Sequence, residues 1–255
     1  MLKFLILSSL YTSLADVIYA VNCGGEEYVD SKGAIWSRDK DYEGGISVGL
    51  SESRYVRFTQ DPYIYMTERQ HHDDFIYSLP RLSPGKYVIT LKFSEYFTIK
   101  NRRMFNIAIG SQIILTSMDV YEGIREPAAI DEFIPISINE KGLYWNGLHL
   151  PDAFRTDKII LKFIKIGSDY PRVSGILITN GTLEDTNYNG HIQKVMRYKQ
   201  LVKNKQDISD KPLQFPKDHT VLNPITLMSV IYKYPLAIVF WTITLFMVLS
   251  KFVAY

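Results

Sequence analysis

Lys86-Tyr87-Val88-Ile89-Thr90-Leu91-Lys92-Phe93 decides the fold class. Tyr87, Ile89, Leu91 and Phe93 fall on one face of an extended chain and Val88, Thr90 and Lys92 on the other, because successive strand side chains point to opposite sides. Ser83-Pro84-Gly85 supplies a turn just ahead of it. Downstream, Phe105, Ile107 and Ile109 alternate up to Gly110-Ser111, a two-residue turn of the II′ type. Gln112-Ile113-Ile114-Leu115 then returns as the second arm of a hairpin. Val17–Asn22, Tyr63–Thr67, Phe133–Ile138, Ile159–Ile164 and Gly175–Thr179 read as further strands. Turn clusters at Glu140-Lys141-Gly142 and Asp169-Tyr170-Pro171 separate them. No stretch of this region carries a helical period over three turns. Many short strands with frequent turns predict an all-β domain, an antiparallel β-sandwich or jelly roll.

Outward from that domain, both ends of the chain are apolar. Residues 1–15 carry Lys3, an apolar Phe4-Leu5-Ile6-Leu7 core and the small-residue exit Ser13-Leu14-Ala15, the pattern of a cleaved signal peptide. Ala20 is a second small residue, but a cut there would remove most of the first strand. Residues 234–250 are free of charge and flanked by Lys233 and Lys251. At about 1.5 Å per residue such a run is near the short end of a bilayer span, with the lysines able to snorkel outward. The charges at the two ends of this run balance, so the cleaved signal sets the orientation. The expected organisation is a signal peptide at 1–15, one domain over 16–183, a polar stalk over 184–233, a single transmembrane helix over 234–250 and a cytosolic tail over 251–255. The first part of the stalk has the makings of a short surface helix, although the segment as a whole reads as solvated chain.

Composition excludes several function classes. With 29 basic and 27 acidic residues, the net charge of +2 offers no field for a polyanion, and the basic residues are not interleaved with aromatics. Nucleic acid is therefore not an expected partner. Cys23 is the only cysteine, so no disulfide can form within the chain. It sits in an apolar strand with nothing nearby to lower its pKa, which makes it a poor nucleophile. His71-His72-Asp73-Asp74 has metal-binding residue types, yet neighbouring strand residues point apart, and an exposed loop is the plainer reading. Glu68, Glu95, Asp131 and Glu132 are the carboxylates a glycosidase would draw on, and sequence does not bring any two together. No nucleophile elbow, P-loop or dinucleotide fingerprint is present. The expectation is a non-enzymatic protein with no cofactor and no metal. Asn180-Gly181-Thr182 is a glycosylation sequon, usable if the domain is lumenal.

The aromatics carry a more pointed signal. They make up 13% of the chain, 18 of them tyrosine, and Tyr55, Tyr96, Phe97 and Tyr170 fall where strands give way to loops. Aromatic rings clustered on loops form flat apolar platforms, and nearby carboxylates accept hydroxyl hydrogen bonds. A sugar ring, with an apolar C–H face and a polar rim, suits such a surface.

Several ordered segments then resemble one family. Val21-Asn22-Cys23-Gly24-Gly25-Glu26 resembles the V-N-x-G-G opening of malectin domains, and Tyr65-Met66-Thr67-Glu68-Arg69 resembles their Y-x-T-E-R segment. Phe75 and Tyr77 fall where the family has aromatics. Lys92-Phe93-Ser94-Glu95-Tyr96-Phe97 is similar to K-F-x-E-x-Y-F, one residue shorter. Phe105–Gly110, Asp119-Val120-Tyr121, Asp131-Glu132 and Asn180-Gly181-Thr182 match further segments in order.

The resemblance implies a β-sandwich lectin of the endoplasmic reticulum membrane, single-pass with its domain in the lumen. It implies binding to glucosylated high-mannose N-glycans of the diglucosylated type, with a role in early N-glycan processing and quality control. Carried over by position, Tyr55, Tyr96 and Phe97 would be stacking aromatics and Asp169 the hydroxyl acceptor, while Gln70 stands where the family has an aromatic. The family's association with ribophorin, an oligosaccharyltransferase subunit, leaves a second role as a membrane adaptor with a weakened or altered sugar site.

Overall fold

The computed structural model describes residues 15–49, 55–94, 104–119, 127–168 and 170–209. The signal-peptide and transmembrane expectations, residues 210–233 of the polar stalk and the short tail lie outside these residues. Among the described residues, no helix is long and apolar enough to cross a membrane.

Two six-stranded antiparallel sheets form the domain. In the first, the strands run in the order Val17–Asn22, Gly175–Asn180, Gly85–Phe93, Ile130–Asn139, Gly142–Trp145 and Leu148–Leu150. In the second the order is Gln112–Asp119, Met104–Ile109, Lys158–Lys165, Phe75–Leu79 and Tyr42–Glu43, with Phe154–Arg155 also pairing to Lys158–Lys165. The alternation of the opening stretch survives folding: Tyr87, Ile89, Leu91 and Phe93 point inward with Ile134, Ile136, Ile176 and Ile178. Against them the second sheet sets Phe75, Tyr77, Phe105, Ile107, Leu161 and Phe163 in one continuous core. Phe75 and Phe163 stack with ring centroids 4.6 Å apart and planes 7° from parallel. The expected all-β, antiparallel sandwich is therefore the fold.

The hairpin between 104 and 119 closes as its turn residues require. Gly110 has φ +61° and Ser111 stays out of the left-handed region, the type II′ signature. A side chain at position 110 would run into the Asp152 carbonyl oxygen 2.2 Å away, so glycine is needed there twice over. One expected strand is not as read. Within Tyr63–Thr67, Pro62–Tyr65 forms a 3₁₀ turn and only Thr67–Gln70 is extended. Pro62 pre-sets φ for the first position of such a turn, and burying Ile64 and Tyr65 rewards curling over alternation. Thr67–Gln70 instead joins Ile46–Gly49 and Arg172–Val173 in a small three-stranded sheet.

After the last strand the chain makes a 3₁₀ turn at Leu183–Asp185, whose carboxylate caps the Thr182 backbone N–H at 2.8 Å. A helix, α1, follows over Tyr188–Ser209. This is the first part of the segment read as a polar stalk, and it packs on the domain. Tyr188, His191, Val195 and Tyr198 lie at spacings of three and four, one face of a helix. The Tyr188 ring meets Phe133 edge-on at 5.3 Å, Val195 packs against Ala128, and Tyr198 meets Phe58 edge-on at 5.5 Å.

Candidate functional site

The two glycine- and arginine-bearing motifs that stand far apart in sequence touch each other. The Thr67 hydroxyl donates to Asn22 Oδ1 at 3.0 Å, and Asn22 Nδ2 donates to the Glu26 carbonyl at 2.8 Å. Gly24 sits at φ +73° with space for no Cβ, which would lie 2.2 Å from the Glu68 carbonyl oxygen. Beneath them Asp39 gathers donors: the Gly24 N–H at 2.7 Å, the Tyr77 hydroxyl at 2.7 Å, and Arg69 through Nε at 2.8 Å and Nη2 at 2.7 Å. Arg69 also donates to the Gly45 carbonyl at 2.8 Å and lies 3.3 Å over the Tyr42 ring. Cys23 is wholly buried in this neighbourhood, and burial pushes its thiol well above the usual range. These motif residues hold the scaffold on which the neighbouring loops are set.

Those loops leave one end of the sandwich. Gln70 is paired with Arg172, and the His71 N–H donates to the Pro171 carbonyl at 3.2 Å, so the end of the Thr67–Gln70 strand lies beside Pro171, two positions after Asp169 in the sequence. The Ser174 N–H donates to the Lys92 carbonyl at 2.8 Å, and Phe93 pairs with Ile130. The segment leading to Tyr96 and Phe97 therefore leaves the sheet at the same end. Arg57 bridges to Ala128, just ahead of Ile130, which brings Tyr55 to that end as well. Tyr55 is 74% exposed while its neighbour Val56 is 2% exposed, so the ring is presented on an anchored backbone. Gln70 is half-buried. Tyr96, Phe97 and Asp169 themselves lie outside the described residues.

A second buried network underlies this end. Lys92 Nζ sits 2.8 Å from Asp131 Oδ2, the Tyr65 hydroxyl donates to Asp131 Oδ1 at 2.6 Å, and Lys92 donates to the Tyr65 oxygen at 2.9 Å. Burial alone would raise the Asp131 carboxyl, but Lys92, His191 and the two hydrogen bonds outweigh it and hold it below its ordinary value. Glu132 goes the other way, raised by burial and by the charge of Asp131. His191 of α1 accepts the Asp131 backbone N–H on Nε2 at 3.1 Å, which places its own proton on Nδ1.

That hydrogen bond makes helix docking sensitive to protons. Burial holds His191 below the ordinary histidine value, with Lys92 and Lys194 adding to the effect and Asp131 opposing it. The folded protein then binds fewer protons than the unfolded chain below about pH 6.5, so stability is full above that pH and falls as pH drops toward the folded pKa. Thermal unfolding of the full chain should show this fall, and His191→Gln should remove it. Subtracting the two profiles cancels the opposite contribution of Glu132. Parallel profiles would mean that His191 does not titrate on unfolding.

The other carboxylates of the glycosidase reading are also placed. Glu68 lies 3.5 Å from Arg172 in a buried ion pair, Asp131 is held by Lys92 and Tyr65, and Glu95 lies outside the described residues. The His71 Nδ1–H donates to the Asp74 carbonyl oxygen at 3.1 Å, and His72 pairs with Asp73. Among the described residues, no group of three or more His, Cys, Asp or Glu could hold a metal. Asn180 ends its strand and accepts the Asp16 backbone N–H at 2.7 Å, and Thr182 Oγ1 donates to Asp185 at 2.9 Å. Sequence reasoning did not single out Arg57 or the α1 face. The 3-4-3 spacing from Tyr188 to Tyr198 was the available signal.

The malectin domain profile matches residues 17–176, nearly the whole sandwich. Malectin-A of Xenopus laevis is 33% identical over 180 residues, 68% of this chain and 64% of that protein. Malectin of Homo sapiens is 31% identical over 174 residues, 66% of this chain and 58% of that protein. The chain thus spans less than two thirds of the length of these relatives. Among solved structures, the ANXUR2 extracellular domain of Arabidopsis thaliana superposes with a TM-score of 0.52 at 16% identity, covering 66% of this chain and 50% of that one, a likeness of fold.

Proposed function

The chain belongs to the malectin family, and from that premise we propose that its sandwich is a lectin domain that binds glucose-capped N-glycans without turning them over. The observation that carries this is the convergence at one sandwich end of the strand ends bearing Tyr55, Gln70 and the flanks of Tyr96, Phe97 and Asp169. Aromatic faces there would take the C–H faces of glucose rings, and Asp169 would accept hydroxyl protons. Discrimination would come from those hydroxyl bonds, because a site built for an OH leaves a polar group unpaired when the OH is missing. The ligand proposed is the diglucosylated high-mannose glycan of a newly made glycoprotein. The setting proposed is the lumenal side of the endoplasmic reticulum membrane, where tethering by residues 234–250 raises effective concentration and lets modest affinity suffice. Asn180 is proposed as a glycosylation site of the same lumenal domain.

Gln70 favours a second reading. An amide at the position of a family aromatic removes one stacking face, and the chain would then serve chiefly as an adaptor beside the oligosaccharyltransferase subunit ribophorin, its sugar site weakened. Binding of the full chain, in mild detergent, to high-mannose glycans carrying zero to three terminal glucoses separates the two. The lectin reading expects selective binding, no released glucose, and a loss of about tenfold or more for Tyr96→Ala and for Asp169→Ala, in line with ~1–3 kcal/mol for one stacked ring. No binding to any of these glycans leaves the adaptor, and released glucose overturns both.

A further inference from the structure

The helix after the sandwich reaches Tyr55, an exposed aromatic of the candidate site, through the Arg57 cation. The Arg57 guanidinium lies 5.8 Å from the centroid of the Tyr55 ring and 5.4 Å from that of Tyr198 on α1, so it stands within cation–π reach of both. Its backbone has little freedom: the Arg57 N–H donates to the Pro127 carbonyl and its own carbonyl accepts from Ala129, each at 2.9 Å. Phe58 next to it has φ +67°, a left-handed conformation that a bulky residue adopts only where its surroundings enforce it. Here the enforcement comes from both sides, Val56 buried beneath and the Tyr198 ring set edge-on against Phe58. Residues 55–58 are thus clamped between the entry to the Ile130–Asn139 strand and the helix.

Resting on the lectin reading, we propose that α1 is part of the sugar site, with Tyr198 and Arg57 as positioning residues that fix the attitude of the Tyr55 platform toward an α-linked glucose disaccharide unit. A platform ring that must lie flat on a sugar gains from being oriented before the sugar arrives, since the ordering cost is then already met. Without Tyr198, Arg57 loses one of the two rings it bridges and the 55–58 turn loses its outer wall. Tyr55 would remain exposed but would sample more orientations. The sandwich alone, cut at residue 183, would on this account bind worse than the chain that includes the helix.

The test titrates nigerose, an α-linked diglucoside, into the full chain and into Tyr55→Ala, Tyr198→Ala, the double variant Tyr55→Ala with Tyr198→Ala, Tyr198→Phe and Arg57→Met. All are measured well below each variant's melting temperature. Tyr198→Ala and Arg57→Met should each weaken binding at least about threefold, the scale of one cation–π contact, and Tyr198→Phe, which keeps the ring, should bind like the parent. In the Tyr55→Ala background, Tyr198→Ala should cost nothing further, the coupling that marks action through Tyr55 and that a general loss of structure would not produce. Parent-like binding by Tyr198→Ala, or an equal loss in both backgrounds, overturns the proposal. Should Tyr198→Ala not fold, Arg57→Met decides alone, since it leaves the helix face intact. A parent that binds nigerose nowhere, with Tyr55→Ala no different, defeats the lectin reading itself and the positioning role with it.

Discussion

Asp131→Ala is expected to destabilise the domain by about 3–5 kcal/mol, the cost of removing one partner from a buried ion pair. The substitution leaves the Lys92 ammonium without its carboxylate, with its side chain only 13% exposed. The nearest compensation left to it is the Tyr65 hydroxyl at 2.9 Å and the faces of Tyr65 and Trp36 at 5.2 and 5.7 Å. Tyr65 in turn loses the acceptor at 2.6 Å that satisfies its buried hydroxyl. Chemical denaturation with the parent slope retained would measure the loss. A sharper form adds Lys92→Met to the same chain, which removes the stranded cation. Recovery of a large part of the lost stability would assign the penalty to that charge, whereas a further loss would assign it to packing. An Asp131→Ala cost under about 1 kcal/mol would place the pair with exposed ones, whose value is of that order.

Asp39→Ala is expected to cost a similar ~3–5 kcal/mol for the same physical reason but at the other network. The substitution strands the Arg69 guanidinium, 6% exposed, together with the Tyr77 hydroxyl and the Gly24 N–H. Asp39→Asn should recover part of this, because an amide oxygen still accepts from Gly24 or Tyr77 although it cannot balance the arginine. The readout that distinguishes this network from the first is local. Amide exchange at Gly24 and Gly25 should accelerate in Asp39→Ala and stay slow in Asp131→Ala. Equal acceleration in both would mean that the two motifs report only global unfolding.

Much of the scaffold could be read from residue patterns because its causes are local. Alternation at 86–93 and the Gly110-Ser111 turn needed nothing beyond the chain's own geometry. The same logic reaches a hairpin absent from the strand reading above. Asn146-Gly147, both at positive φ, joins Gly142–Trp145 to Leu148–Leu150 and is a strong short-range turn signal. Pro62–Tyr65 was harder, since the burial of Ile64 and Tyr65 that bends it is tertiary. The motif resemblance pointed to Gly24-Gly25 and to Thr67-Glu68-Arg69 as family marks, yet only folding reveals that they are marks of one contact. For the site, Tyr55 and Gln70 were legible as residue types on loops. Arg57 was not, because its role depends on a helix 141 positions further along that a polar sequence barely advertises.

One feature of the first sheet governs how such a domain can be made. Its last strand, Gly175–Asn180, lies between its first, Val17–Asn22, and the long Gly85–Phe93 strand, with partners Asp16 and Asn180 separated by 164 positions. A chain emerging from its N-terminus has the two outer members early and must hold a strand-wide gap open between them until residues 175–180 have been made. Closing contacts of such sequence separation carry a large loop entropy and slow the final step. The core half of that gap stays wet in the meantime, so the vulnerable interval for this protein is its birth, and chaperone demand should end abruptly when residues 175–180 arrive.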